Sequence, residues 1–153
     1  SFHKQGLFIL KILCILSPMQ LISVTKRFNF SASHRLFNSN LSPEENSRLF
    51  DACSKQHGHN FNLEVTVKGP VDTVSGMVIN FHDLKRIVND SVVNYLDHSN
   101  FDTDIPELSG TIHTAENLIQ FIWKRISSAM EHPVKLSKLK LHETADNWVE
   151  MGE

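Results

Sequence analysis

Cysteine is scarce in this 153-residue chain: Cys14 and Cys53 are the whole complement. The two thiols could in principle pair. A secreted scaffold of this size held by disulfides carries more of them, so a reduced thiol at Cys53 is expected. Charge of one sign is missing too. Lys and Arg number 15 against 17 Asp and Glu, both signs mixed along the chain, for a formal net charge of −2. That excludes the basic stripe with which proteins track nucleic acid. Long apolar runs are also lacking. The most apolar stretch, GLFILKILCILSP at residues 6–18, contains Lys11 and is too short to span a bilayer. After His3 and Lys4 it has the outline of a signal-peptide hydrophobic region, but no small-x-small cleavage site follows. Residue 1 is not methionine, and Met19 opens MQLISVTKRFNF, where periodic structure begins. Residues 1–18 are therefore read as an upstream extension or expression remnant, with a targeting segment as the alternative, and residues 19–153 as one domain. Internal repeats and low-complexity linkers are absent. What remains is an ordinary globular composition in a chain long enough to bury roughly 70% of its unfolded surface. The expected location is cytoplasmic.

Alternation predicts a strand over residues 23–35, with Phe28, Phe30, Ala32 and His34 on one face. A polar excursion over residues 38–52 has room for a short helix after Pro43. Residues 59–69 alternate again, with His59, Phe61, Leu63, Val65 and Val67 on one side, and Gly69-Pro70 ends the run. SGMVINF, residues 75–81, reads as a short strand after a turn at Ser75-Gly76. Asn80 is placed to cap a helix striped by Leu84, Ile87, Val88, Ser91, Val92 and Tyr95. Thr114 is placed to cap a second, striped by Leu118, Ile119, Ile122, Trp123, Ile126 and Met130. KLSKLKLHET and NWVEMGE read as closing strands, with Leu139, Leu141 and Glu143 on one side. The pattern predicts an α+β fold: an antiparallel sheet with two helices on one face.

The chain has nine histidines, unevenly spread. In CSKQHGHN, residues 53–60, His57 and His59 are two apart, so in a strand they project together. Gly58 keeps the backbone between them uncrowded. His34, at the end of the first strand, is a candidate third ligand. Three imidazoles with one open position is the pattern of a catalytic zinc, and neutral nitrogen donors suit zinc over magnesium or calcium. The plainer reading also stands: a His-Gly-His triplet can be a surface turn, and His34 a hydrogen-bonded core histidine. His82, His113, His132 and His142 show no spacing logic and are expected to be solvated or satisfied locally. Cys53 has three open roles: fourth metal ligand, base or nucleophile, and small apolar filler.

Five ordered motifs narrow the choice: FSASHRL at 30–36, HGHN at 57–60, LDHSN at 96–100, TAEN at 114–117 and HET at 142–144. The series resembles the 6-pyruvoyl-tetrahydropterin synthase family, which includes the 6-carboxy-tetrahydropterin synthases, over essentially the whole chain from Thr25 onward. The resemblance implies a tunnelling fold, in which a four-stranded antiparallel sheet with two helices trimerises into a barrel and doubles to a homohexamer. It implies zinc held by His34, His57 and His59, and 7,8-dihydroneopterin triphosphate as substrate. It implies Cys53 as general base, and Asp97 with His98 completing a proton-transfer set at a subunit interface. Glu143 would grip the guanidine-like edge of the pterin, with Glu116 and Thr114 in the other pterin-pocket motif. On residue type alone, Glu143 is a solvated strand-end acid and Glu116 a first-turn acid favoured by the helix dipole.

Two departures bear on the product. Cys53 stands four residues before His57, the spacing typical of the 6-carboxy-forming enzymes of queuosine biosynthesis, whereas animal-type synthases carry two more residues there. Ala115 replaces a threonine common in its motif. The expected product is 6-pyruvoyl-tetrahydropterin, on the tetrahydrobiopterin route. The alternative is 6-carboxy-tetrahydropterin with acetaldehyde, and a pterin- or zinc-binding protein without turnover ranks third. Asp97 and His98 pose a geometric question, since neighbours in an extended chain point apart. Their pairing requires a turn.

Overall fold

The computed structural model describes residues 19–153. The expectations for residues 1–18, Cys14 included, lie outside the described residues. Strand β1 is Leu21–His34 and strand β2 is His57–Pro70; they pair antiparallel along their whole length. Between them lie helix α1, Pro43–Phe50, and a 3-10 turn, Asp51–Ser54. α1 starts at a capping box: the Ser42 hydroxyl accepts from Glu45 N–H and the Glu45 carboxylate accepts from Ser42 N–H.

Asn80 caps helix α2 as expected, its side chain accepting from His82 N–H. α2 runs Phe81–Val88, widens into a π turn at Asn89–Val93 and finishes at Asn94–Leu96. Ser91 is the reason its apolar stripe includes a hydroxyl: Oγ donates to the Ile87 carbonyl at 2.7 Å. The Ser91 carbonyl in turn accepts Arg125 Nε–H at 2.6 Å, tying α2 to helix α3, Ala115–Ala129. Strand β3 is two residues, Ser99–Asn100, and β4 (Lys135–His142) and β5 (Trp148–Gly152) close the chain.

The sheet order is β3-β1-β2-β4-β5. Four long strands are antiparallel as expected, and β3 adds a short parallel edge against Ala32 and Ser33. The strand expected in SGMVINF does not form. Asp72 folds its neighbourhood onto itself: its carboxylate accepts from the N–H groups of Val74 and Ser75, and its backbone pairs with Gly76 and Met77. Helix α2 begins directly afterwards, so the alternating residues find no strand to join.

Burial follows the period of two. Phe28, Phe30, Ala32 and His34 are buried from β1, and Phe61, Leu63, Val65 and Val67 from β2. Leu84, Val88 and Leu96 of α2 and Leu118, Ile122 and Ile126 of α3 pack onto that face. Fully burying each such side chain contributes about 1.5–3 kcal/mol relative to exposure. The apolar stack ends at the histidine end of the sheet, where Phe30 stacks on Phe61 with ring centroids 5.0 Å apart.

Candidate active site

The β1–β2 register sets His34 opposite His57 and Ala32 opposite His59. Residues directly opposite in an antiparallel pair share a face, so three imidazoles crowd the end of the apolar stack. Their ring centroids are 4.6 Å (His34–His57), 5.2 Å (His34–His59) and 4.9 Å (His57–His59) apart. Gly58 fits closely between the two β2 histidines: a Cβ there would lie 3.2 Å from the Ala32 carbonyl oxygen, so the backbone opposite would have to give by a few tenths of an ångström.

The hydrogen bonds assign the ring nitrogens. His34 Nδ1 lies 2.8 Å from the His113 carbonyl, and His57 Nδ1 lies 2.8 Å from the Lys55 carbonyl. A carbonyl only accepts, so each Nδ1 carries the hydrogen, and in the neutral ring that leaves the lone pair on Nε2. His34 Nε2 and His59 Nε2 are buried and have no hydrogen-bond partner among the described residues. Such groups are costly unless something else satisfies them.

One nitrogen from each ring lies within 4.8 Å of the others. Three nitrogens around a tetrahedral zinc sit about 3.4 Å apart, so small rotamer adjustments close the set, and the donors fit zinc. Burial lowers the His34 pKa to about 4, against the pull of the His113 carbonyl, and repulsion from His57 and His59 adds to it. Burial also lowers His59, opposed by Glu143. Neutral imidazole is the form that ligates metal.

Glu143 comes to the same place from the bend after β4. Its Oε1 lies 3.5 Å from His34 Nε2 and 3.7 Å from His59 Nε2, and its N–H donates to the Asn147 carbonyl at 3.0 Å. Asp97 and His98 do meet. α2 has ended, and His98 takes a left-handed φ of 60°, which brings its Nδ1 to 2.9 Å from Asp97 Oδ2. Ser31 clamps the pair, donating its N–H to Asp97 Oδ1 at 2.8 Å and accepting His98 N–H at 2.6 Å. The Ser31 N–H, with help from His98, holds the Asp97 carboxyl below its ordinary range. His98 and His59 line one open groove of about 440 Å³.

The other candidates stand further apart. Cys53 lies in the Asp51–Ser54 turn with an exposed, free thiol, and its carbonyl accepts Leu36 N–H at 2.8 Å. Thr114 caps α3, accepting Asn117 N–H at 3.3 Å, which leaves its O–H free to donate. Glu116 is exposed in the first turn of α3. Of the two outcomes expected for His113, solvated or satisfied locally, the second holds for Nε2. The ring is 7% exposed with Nε2 on the Leu108 carbonyl at 3.2 Å, while its own carbonyl meets His34 Nδ1, a role with no expectation behind it. Neither His113 nor Asp102 beside it carried a spacing signal, because their partners are far away in sequence.

Fold and site together define an α+β protein with a three-imidazole centre able to hold a metal at the open end of its sheet. The family model described as 6-pyruvoyl tetrahydropterin synthase matches residues 23–153, and the chain belongs to that family. The 6-pyruvoyl tetrahydrobiopterin synthase of Pongo abelii is 43% identical over 128 residues, covering 82% of this chain and 88% of the relative. That of Dictyostelium discoideum is 41% identical over 128 residues, covering 84% and 93%. The solved structure of Caenorhabditis elegans 6-pyruvoyl tetrahydropterin synthase aligns with a TM-score of 0.82 at 32% identity, over 88% of this chain and 97% of that one. The fold is the tunnelling fold of this family.

Proposed function

We propose that this chain is a zinc-dependent lyase that converts 7,8-dihydroneopterin 3'-triphosphate to 6-pyruvoyl-tetrahydropterin with elimination of triphosphate. The observation that carries it is the convergence of His34, His57 and His59, two of them with buried, unpaired Nε2 atoms, in a chain of this family. His34, His57 and His59 would hold the zinc, which would supply Lewis acidity at the side-chain hydroxyls of the pterin and so acidify the adjoining C–H. Cys53 takes that proton, and the paired Asp97 and His98 complete the proton transfers as triphosphate leaves. The side chain is oxidised at the expense of the dihydropterin ring, which is reduced to the tetrahydro level with no outside oxidant. Glu143 accepts the N–H donors of the pterin edge, a charge-assisted anchor. Thr114 and Glu116 belong to the same pocket.

Cys53 and the Asp97–His98 pair act from neighbouring subunits of a homohexamer built as a dimer of trimers. In support, β5 and the first part of β1 each present one outer edge that no strand covers among the described residues. The catalytic domain is residues 19–153. Among the described residues no helix is long and apolar enough to cross a membrane. A cytoplasmic location suits a mechanism that needs a free thiol.

One observation favours a second product. The four-residue step from Cys53 to His57 matches the 6-carboxy-forming branch, in which the side chain is cleaved and acetaldehyde released. Purified protein incubated with zinc and dihydroneopterin triphosphate, its pterins read by mass spectrometry, separates the two. A 6-pyruvoyl product is expected. A 6-carboxy product with acetaldehyde would move the chain to the queuosine branch, and no turnover would overturn both readings. In the same assay Cys53→Ala should cut turnover by about 10²–10⁴-fold with zinc retained; normal turnover would remove the thiol from the mechanism.

A further inference from the structure

Behind the three imidazoles, Asp102 faces three segments at once. Its Oδ1 lies 3.7 Å from Arg35 Nε and 3.4 Å from His113 Nδ1. With the Gln56 amide turned so that both ends are satisfied, its nitrogen donates to Asp102 Oδ2 at 3.1 Å and its oxygen accepts His34 N–H at 3.2 Å. The opposite setting offers a 3.3 Å bond to Asn100 Oδ1 instead, so the network selects the first. Arg35 and Gln56 are the chain neighbours of His34 and His57. One carboxylate thus ties the ends of both ligand-bearing strands to the loop before α3.

That loop holds the key contact, the His113 carbonyl on His34 Nδ1 at 2.8 Å. The His113 ring is buried, anchored through Nε2 to Leu108, and its Nδ1 has no aligned hydrogen-bond partner among the described residues. The Asp102 carboxylate lies 3.4 Å from that nitrogen, and through the Gln56 amide the same carboxylate reaches the His34 N–H. We infer that Asp102 and His113 are positioning residues for the metal centre, acting through His34. They hold the carbonyl that keeps the hydrogen on Nδ1 and so aim the Nε2 lone pair at the ion. Groups in this outer position orient a ligating histidine and raise its basicity. The inference rests on the three-histidine zinc reading.

The test compares Asp102→Asn, which keeps size and removes charge, with His113→Phe, which keeps the ring's shape and removes its nitrogens. Zinc affinity is read by competition with a chromophoric chelator, site geometry by the visible spectrum of cobalt-substituted protein, and fold by melting of the metal-stripped protein. Each variant should bind zinc about 10–100-fold more weakly and shift the cobalt bands, with metal-stripped melting close to wild type. The double variant should be little worse than the weaker single, because both act through one contact. Affinities within about threefold of wild type in both variants would overturn the inference while leaving the zinc reading intact. So would weakened binding confined to a variant whose metal-stripped form no longer melts cooperatively. If the wild-type protein takes up no zinc, the three-histidine reading fails and takes this inference with it.

Discussion

The two faces of the β1–β2 ribbon follow opposite rules in one register. On the helix-covered face, Phe28 pairs with Leu63 and Phe30 with Phe61, and the same ladder then runs into Ala32–His59 and His34–His57. On the open face the rungs are polar and mutually satisfied. Thr25 and Thr66 hydroxyls lie 2.8 Å apart, Arg27 meets Glu64 at 2.9 Å, Asn62 donates to Asn29 at 2.7 Å, and Ser31 to Asn60 at 2.7 Å. A polar atom on the open face that loses its partner turns to water. An imidazole nitrogen on the covered face has no such recourse, and it is there that unpaired nitrogens collect. Metal-binding capacity in this fold comes from dry walls around polar groups, more than from the polar groups alone.

That contrast can be broken from either side. The largest effect should follow His57→Ala: wild-type protein is expected to carry one zinc per chain, and the variant none, by elemental analysis after gel filtration. Stoichiometric zinc in the variant would dismiss the three-imidazole ligand set. Next is Phe61→Ala, which opens the wall between the core and the histidines. Its ring lies 5.6 Å from His59 and 6.1 Å from His34, centroid to centroid. Urea unfolding should show a loss of about 3–5 kcal/mol.

A smaller effect is written in pH. His34 folds with its pKa lowered to about 4 from 6.5, so between those values the unfolded chain binds the proton and the folded chain does not. Stability of the metal-stripped protein is therefore full above 6.5 and falls as pH drops toward 4, by at most about 3 kcal/mol from this group. Urea titrations in chelator across that range, compared with His34→Gln, isolate it; a wild-type curve no steeper than the variant's would contradict it. The smallest effect belongs to the open face. Arg27→Ala removes an ion pair whose arginine side chain is 72% exposed, and should cost less than about 1 kcal/mol in the same urea assay.

Much of this is legible in the amino-acid sequence where the physics is local. Asn80 and Thr114 were recognisable as caps because a side-chain oxygen two or three residues before a helical N–H satisfies it wherever the helix goes. The alternation around Phe28 and Phe61 placed the buried face correctly. The same logic misled at SGMVINF, where a period of two needs a strand to pair with and the Asp72 turn left none. The two-residue β3 and the π turn at Asn89–Val93 have no signal: β3 exists through its pairing with Ala32 and Ser33, and the Ser91 carbonyl in the π turn is met by Arg125, both partners far away in sequence.

The sequence by itself determined that His34, Phe30 and Phe28 lie on one side of a strand and that His57 and His59 project together, because side-chain direction alternates with every residue. It did not determine that β1 and β2 meet with His34 opposite His57. Nor did it determine that Glu143 swings back to the imidazoles, that His98 turns left-handed onto Asp97, or that Asp102 and His113 gather behind His34. Those contacts join segments tens of residues apart, and the tertiary structure alone decided them, because burying the apolar faces of the helices and the sheet against one another is what brings those segments together.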